Sequence, residues 1–253
     1  MSTIWGKVIG GVAGFAIGGP IGALMGAFAG HQYDKNKIEN AQIGGNPENV
    51  QDHRQIAFTV AIIVLSAKMA KADGNVTPDE IATFKKIFRI PPEEVGEVGR
   101  LFNEAKKEAA GFEPYAQQIS DLFVHEPRVL EELLGGLFLI AQADGKVHRK
   151  ELSYLAKVAA IFRFDQTTFE RIQYSYMGQD HVGTQDEFYK ILGISPSADD
   201  AEVKAAHRKL LREYHPDALM SKGLPQDFLD VANEKMAAIN HAYDMVKKER
   251  GLN

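Results

Sequence analysis

The chain has 253 residues, a formal net charge of −5, no cysteine and 45% hydrophobic residues. That length suffices for one or two cored domains, and 25% charged with 9% aromatic residues argues against wholesale disorder. The missing cysteines exclude a disulfide framework, thiolate metal sites and a cysteine nucleophile, and the mildly acidic balance gives no footprint for nucleic acid as a partner.

Nine of the 23 glycines fall in the first thirty residues, and no charged residue stands between Lys7 and His31. As a helix, the stretch 8–30 would extend about 34 Å, enough for a hydrocarbon core of about 30 Å. Trp5 and Tyr33 bracket it as interfacial aromatics do. Residues 1–30 are therefore predicted to be a transmembrane anchor. Gly6, Gly10, Gly14, Gly18, Gly22, Gly26 and Gly30 recur at every fourth position. They form a small-residue ridge of the kind on which membrane helices pair, so a homodimer through this helix is expected. Pro20 would kink or split the span. Ala27-Phe28-Ala29 also fits a signal-peptide cleavage site, although the apolar run exceeds the usual ~7–15 residues. Lys7 precedes the span while Lys35 and Lys37 follow it, a slight bias towards a cytoplasmic C-terminal side.

Residues 31–51 are polar, contain Gly44-Gly45 and Asn46-Pro47, and read as a linker. From 52 to 177 the pattern is helical. Ile56, Val60, Ile63 and Ala67 recur at three- and four-residue spacing, as do Leu130, Leu133, Leu134 and Leu137. About seven helices are predicted, near 52–72, 77–89, 92–110, 114–124, 127–143, 148–162 and 165–177. An internal repeat sets Ala70-Lys71-Ala72-Asp73-Gly74-Asn75-Val76 against Ala141-Gln142-Ala143-Asp144-Gly145-Lys146-Val147, an offset of 71 residues (144 − 73). The same offset carries Glu80 onto Glu151. Glycine suits the left-handed position that ends the first helix of each unit. Thr77-Pro78-Asp79-Glu80 then supplies a capping box for the second.

This repeat resembles the TerB-like (tellurite-resistance) helical domain, whose hallmark is a pair of Ala-Asp-Gly segments. Some members bind divalent cations there, so the resemblance implies that Asp73, Glu80, Asp144 and Glu151 offer hard oxygen ligands to calcium or magnesium. The alternative is that these carboxylates only cap helices and turns. His148-Arg149-Lys150 in the second unit would repel a cation. No cofactor is otherwise required.

Residues 178–185 form a second linker, and 186–253 a C-terminal domain. Asp186–Leu192 suits a short helix stopped by Gly193. Asp199 or Asp200 can cap a second helix running to Tyr214, with an apolar stripe of Val203, Ala206, Leu210 and Tyr214. Its opposite stripe is basic: Lys204, Arg208 and Arg212, with Lys209 beside it. Pro216 stops this helix. A polar loop to Pro225 is expected, then a third helix burying Phe228, Ala232, Met236, Ile239, Tyr243 and Val246. The two long helices predict an antiparallel hairpin with His215-Pro216-Asp217 at its exposed tip.

The order of Phe188-Tyr189-Lys190-Ile191-Leu192-Gly193, a basic helix, His-Pro-Asp and Ile239-Asn240-His241-Ala242-Tyr243 resembles the J-domain. That family engages a DnaK-type chaperone and stimulates its ATP hydrolysis. The resemblance implies that His215, Pro216 and Asp217 are the essential tripeptide, and that Lys204, Arg208, Lys209 and Arg212 are the docking face. His207 and Ala218 depart from the pattern, where tyrosine and a basic residue are common. The whole arrangement resembles the membrane-anchored DnaJ-like family of the DjlA type. An all-α protein is therefore expected: a transmembrane helix, a TerB-like bundle and a J-domain hairpin. It would be an inner-membrane co-chaperone with cytoplasmic domains and no catalytic centre, since no P-loop, zinc motif or activated nucleophile occurs. The alternative is a membrane-tethered metal- or stress-sensing adaptor acting mainly through the TerB-like domain.

Overall fold

In the computed structural model the described residues are 19–30, 47–73, 78–107, 111–177 and 185–251. Every residue from Ile56 to Ala70 is buried. A helix that is apolar all round must be enclosed on all sides. The helix carrying that run, α2 (Pro47–Asp73), is accordingly the axis of the bundle. Its first residues, 47–51, extend into what reads as a linker in the sequence, because Pro47 fits a first helical position.

Around α2 lie α3 (Pro78–Ile87), α4 (Val95–Lys107), α5 (Glu113–Leu122), α6 (Pro127–Ala141), α7 (Arg149–Ile161) and α8 (Gln166–Met177). These are the seven helices expected between 52 and 177, with ends shifted by up to five residues at 47, and no strand occurs among the described residues. After α6 the chain turns at Gly145 with φ of +88°, the left-handed geometry expected there. Its counterpart Gly74, and Thr77 of the expected capping box, lie outside the described residues. Proline opens α3 and α6, where its missing N–H costs no helical bond.

The N-terminal helix α1 (Gly19–Gly30) starts at Gly19, with Pro20 in its first turn. Ile21, Gly22 and Leu24 are buried, and the Ile21 N–H donates to Gln118 Oε1 on α5 at 2.8 Å. Gly22, Gly26 and Gly30 of the glycine series are on α1, whereas Gly6, Gly10, Gly14 and Gly18 fall outside the described residues. Among the described residues no helix is long and apolar enough to cross a membrane.

The C-terminal hairpin consists of α9 (Gln185–Leu192), α10 (Asp200–Glu213) and α12 (Leu229–Glu249), with Phe188, Tyr189, Leu192, Val203, Leu210, Ile239, Ala242 and Val246 in its own small core. The polar loop expected between Pro216 and Pro225 is instead a short helix, α11 (Pro216–Ser221), followed by a 3-10 turn at Gln226–Phe228. Its apolar side chains are not at a free tip. Leu219, Leu224, Phe228, Val231 and Ala232 are buried in the core of the helical bundle. Phe228 meets Phe58 of α2 edge-on at 4.7 Å and lies tilted against Phe88 at 4.6 Å. Gln51 Nε2 donates to the Met220 carbonyl at 3.1 Å. Gly223 makes the turn with φ of +111°, and a Cβ there would come within 3.0 Å of Phe123 and of the Arg54 Cβ. Only glycine fits so close a passage. The two units expected from the sequence are thus joined: the hairpin keeps a core of its own, while the segment between its long helices is buried in the core of the bundle.

Candidate chaperone-docking site

Helix α10 is built for an asymmetric face. Asp199 caps it: Asp199 Oδ1 accepts from the Glu202 N–H, and Glu202 Oε2 accepts from the Asp199 N–H, both at 2.8 Å. Val203, Leu210 and Tyr214 are buried against the rest of the chain, while Lys204, Arg208, Lys209 and Arg212 are all exposed. Lys209 lies 3.9 Å from Glu213 on the same helix; the other three leave their charge on the surface, an exposed basic stripe. His207 explains its own departure from the family pattern. Its ring stacks on Tyr243 of α12 at 3.9 Å, and its Nε2 is 3.0 Å from Asn240 Oδ1, so it pins the two long helices together.

The tripeptide follows at once. Pro216 sets the first turn of α11, and the Asp217 N–H donates to His215 Nδ1 at 3.2 Å. That bond leaves Nε2 to carry the ring proton of a neutral imidazole. The side chains are 55% exposed at His215 and 88% at Asp217. The tripeptide and basic stripe therefore lie together on an open surface, as expected.

Beneath them is a feature the sequence reading missed, a buried set of charges joining the hairpin to the bundle. Lys235 of α12, 0% exposed, donates to Glu131 Oε2 at 3.0 Å and lies 4.0 Å from Glu132 Oε1, both on α6. Arg171 of α8 donates to both Glu131 oxygens at 2.8 Å. The Tyr214 hydroxyl donates to Glu131 and accepts from Arg171 at 2.9 Å and from Arg128 at 2.8 Å. Tyr176 of α8 donates to Glu132 Oε2 at 2.8 Å. Its ring passes so close to α6 that a Cβ on Gly135 would sit 2.2 Å from it, so glycine is what lets this hydroxyl reach the carboxylate.

Burial opposes the charge on Glu131, but Lys235, Arg171 and Arg128 overcome it and hold the carboxyl well below its ordinary range. Glu132 goes the other way. Burial pushes it up to about 7, with Lys235 and the Tyr176 hydroxyl pulling it back, and its Oε1 has no hydrogen-bond partner. Burial likewise pulls the Lys235 ammonium down, against the pull of Glu131 and Glu132.

The folded chain thus keeps the Glu132 proton to about pH 7, while an unfolded glutamate releases it near 4.5. The stability from this proton is complete below 4.5 and lost as pH rises through 7, on the order of 3 kcal/mol in all. Glu132→Gln is expected to remove that slope. Thermal melts from about pH 5 to pH 7.5 check it, and parallel slopes for variant and parent would contradict the assignment.

The expected cation ligands are placed apart in their uses. Asp144 Oδ1 accepts the Lys146 N–H at 3.0 Å, and its Oδ2 lies 3.4 Å from His148 Nε2. Glu151 Oε2 accepts the His148 N–H at 2.8 Å, closing the first turn of α7. Glu80 lines an apolar cavity of about 290 Å³ with Ser66, Phe84 and Phe102. Asp73 ends α2, and its side chain lies outside those described. Among the described residues no group of three or more His, Asp or Glu side chains could hold a metal ion.

Three family models match parts of the chain. Residues 59–174 match the family described as tellurite resistance protein TerB, 187–251 the DnaJ domain, and 1–49 the co-chaperone DjlA transmembrane domain. The co-chaperone protein DjlA of Photobacterium profundum is 32% identical over 98% of this chain and 100% of its own length. That of Coxiella burnetii is 30% identical over 98% of each. The Vibrio vulnificus protein of the same name is 34% identical, covering 98% of this chain and 99% of its own. No solved structure matches the chain.

Proposed function

The chain belongs to the DjlA co-chaperone family, and from that premise we propose that it recruits a DnaK-type chaperone to a bacterial inner membrane and stimulates its ATP hydrolysis. It is a J-domain co-chaperone associated with a membrane, and its work is done through a partner's ATPase rather than a reaction of its own. One observation carries the finer reading. His215, Pro216 and Asp217 sit on an open surface directly after a helix that presents Lys204, Arg208, Lys209 and Arg212 to solvent. Such a face steers association with an acidic partner surface and speeds encounter more than it tightens binding.

Membrane attachment by residues 1–30 follows from the uncharged stretch and the family's transmembrane domain. In a bilayer, α1 would exchange its contacts with α5 for lipid. The C-terminal domains face the cytoplasm in this reading, because the chaperone partner and its ATP are there. The glycine series supports pairing of two chains within the membrane.

The test is the ATPase rate of a DnaK-type chaperone titrated with the full chain at low and high salt. Stimulation is expected, with a half-saturating concentration that rises several-fold between about 50 and 300 mM salt as the charges are screened. Stimulation indifferent to salt would remove the basic face from the docking site.

Asp144 and Glu151 hold backbone N–H groups in place, so we read them, with Asp73 and Glu80, as structural carboxylates. Millimolar calcium or magnesium is then expected to leave the melting temperature unchanged. A rise would give these residues a cation and favour the sensing adaptor.

A further inference from the structure

We infer that the TerB-like domain is the platform that orients the chaperone-binding tripeptide, with Glu131 as a positioning residue that acts through Tyr214 and Lys235. The inference rests on the co-chaperone reading and gives the TerB-like domain a task within it.

The tripeptide is held from both sides. Tyr214 precedes it and is fully buried, its hydroxyl bonded to Glu131, Arg128 and Arg171, all from the bundle. Leu219, two residues after Asp217, is fully buried in the bundle's core, as is Leu224 beyond it. Only four residues separate Tyr214 from Leu219, so the backbone of 215–217 has little freedom left. Further ties surround them: Arg89 grips Asp230 through two hydrogen bonds, Lys222 reaches Glu126 at 3.3 Å, and Arg128 reaches Glu213 at 2.6 Å.

The same contacts leave the docking surface clear. Asp217, Lys204, Arg208, Lys209 and Arg212 all stay exposed while the hairpin is seated. The seated state can therefore bind the chaperone, which makes the contact a support and not a lid. A loop ordered before the partner arrives fixes the geometry in which the tripeptide acts.

The test uses the full chain in detergent or vesicles. The double variant Tyr214→Phe/Lys235→Met removes the two hairpin groups that bond Glu131 but keeps their bulk, and leaves Glu131 paired with Arg171 and Arg128. Maximal stimulation of a DnaK-type ATPase is expected to fall about tenfold. The half-saturating concentration should move less than about twofold, since the basic face is untouched. Hydrogen exchange at the amides of 215 and 217–219 should speed up. Rescue is read in a chain that also carries Arg89→Cys and Asp230→Cys, possible because the protein has no cysteine. A short bismaleimide across that pair should restore at least half of the lost stimulation.

Full stimulation by the double variant with unchanged exchange would overturn the inference. So would loss of stimulation when the cross-link is made in an otherwise unaltered chain, because the contact would then be a brake. That second arm decides the matter even if the double variant fails to fold. A parent chain that gives no stimulation at all would instead overturn the co-chaperone reading, and hydrogen exchange would still decide the platform.

Discussion

Lys235→Ala is expected to cost about 3–5 kcal/mol of folding stability, the range for removing one partner from a buried ion pair. The Lys235 ammonium is fully buried, 3.0 Å from Glu131 and 4.3 Å from the centre of the Tyr214 ring. Alanine would leave a void where the four-carbon stem lay and would take from Glu131 its cationic partner on the hairpin. At this chain length the loss corresponds to a fall of roughly 10 °C in melting temperature. Lys235→Met should cost clearly less. Its side chain fills the space, Glu132 can keep its proton, and Glu131 retains Arg171 and Arg128. Urea unfolding at neutral pH measures both. Because Leu219, Leu224 and Phe228 of the hairpin side are buried in the bundle's core, the parent is expected to unfold in a single transition. An alanine variant within about 1 kcal/mol of the parent would mean that water reaches the cluster.

His215→Gln should act in the opposite sense, on function with little effect on the fold. The imidazole is about half exposed, and its one hydrogen bond in the structure, from the Asp217 N–H to Nδ1, is one that a glutamine oxygen can also accept. The melting temperature is therefore expected to stay within about 1 °C of the parent. Stimulation of the chaperone ATPase should fall about thirtyfold or more, the effect of losing a hot-spot contact of 2 kcal/mol. Weak, salt-sensitive association through Lys204, Arg208, Lys209 and Arg212 should survive, since charge steering does not need the tripeptide. A variant that no longer associates at low salt would mean that the histidine, and not the basic face, supplies the first contact.

What the sequence reveals and what it hides follow from the range of the interactions. The helices between 52 and 177 and the J-domain hairpin are legible because apolar residues recur at helical spacing and Pro, Gly and Asp punctuate them. Gly145 and Asp199 behave as their local sequence demands, since a left-handed turn and a capping box depend only on neighbours in the chain. The seating of the hairpin on the bundle is different. Leu219, Leu224 and Phe228 stand in a stretch rich in Gly and Pro with no helical period, and what buries them comes from α2 and the residues around Phe88 and Phe123.

Lys235 did leave a trace. The buried stripe of the last helix is Phe228, Ala232, Lys235, Ile239, Ala242 and Val246, at alternating spacings of four and three. A lysine inside an apolar stripe marks a buried charge. Met236 and Tyr243, read from the sequence as part of that face, are only partly buried because the stripe runs beside them. Glu131-Glu132 within the apolar run of α6 is the matching trace. Neither names its partner, since Lys235 and Glu131 are 104 residues apart.

The measurement closest to the central claim is the ATPase rate of a DnaK-type chaperone with the full chain and with its His215→Gln variant, matched for folded content. Stimulation by the parent and its loss in the variant is the result expected. A parent chain that leaves the rate unchanged, or a variant that stimulates equally well, would contradict the claim that this protein works through its His-Pro-Asp tripeptide on a chaperone ATPase.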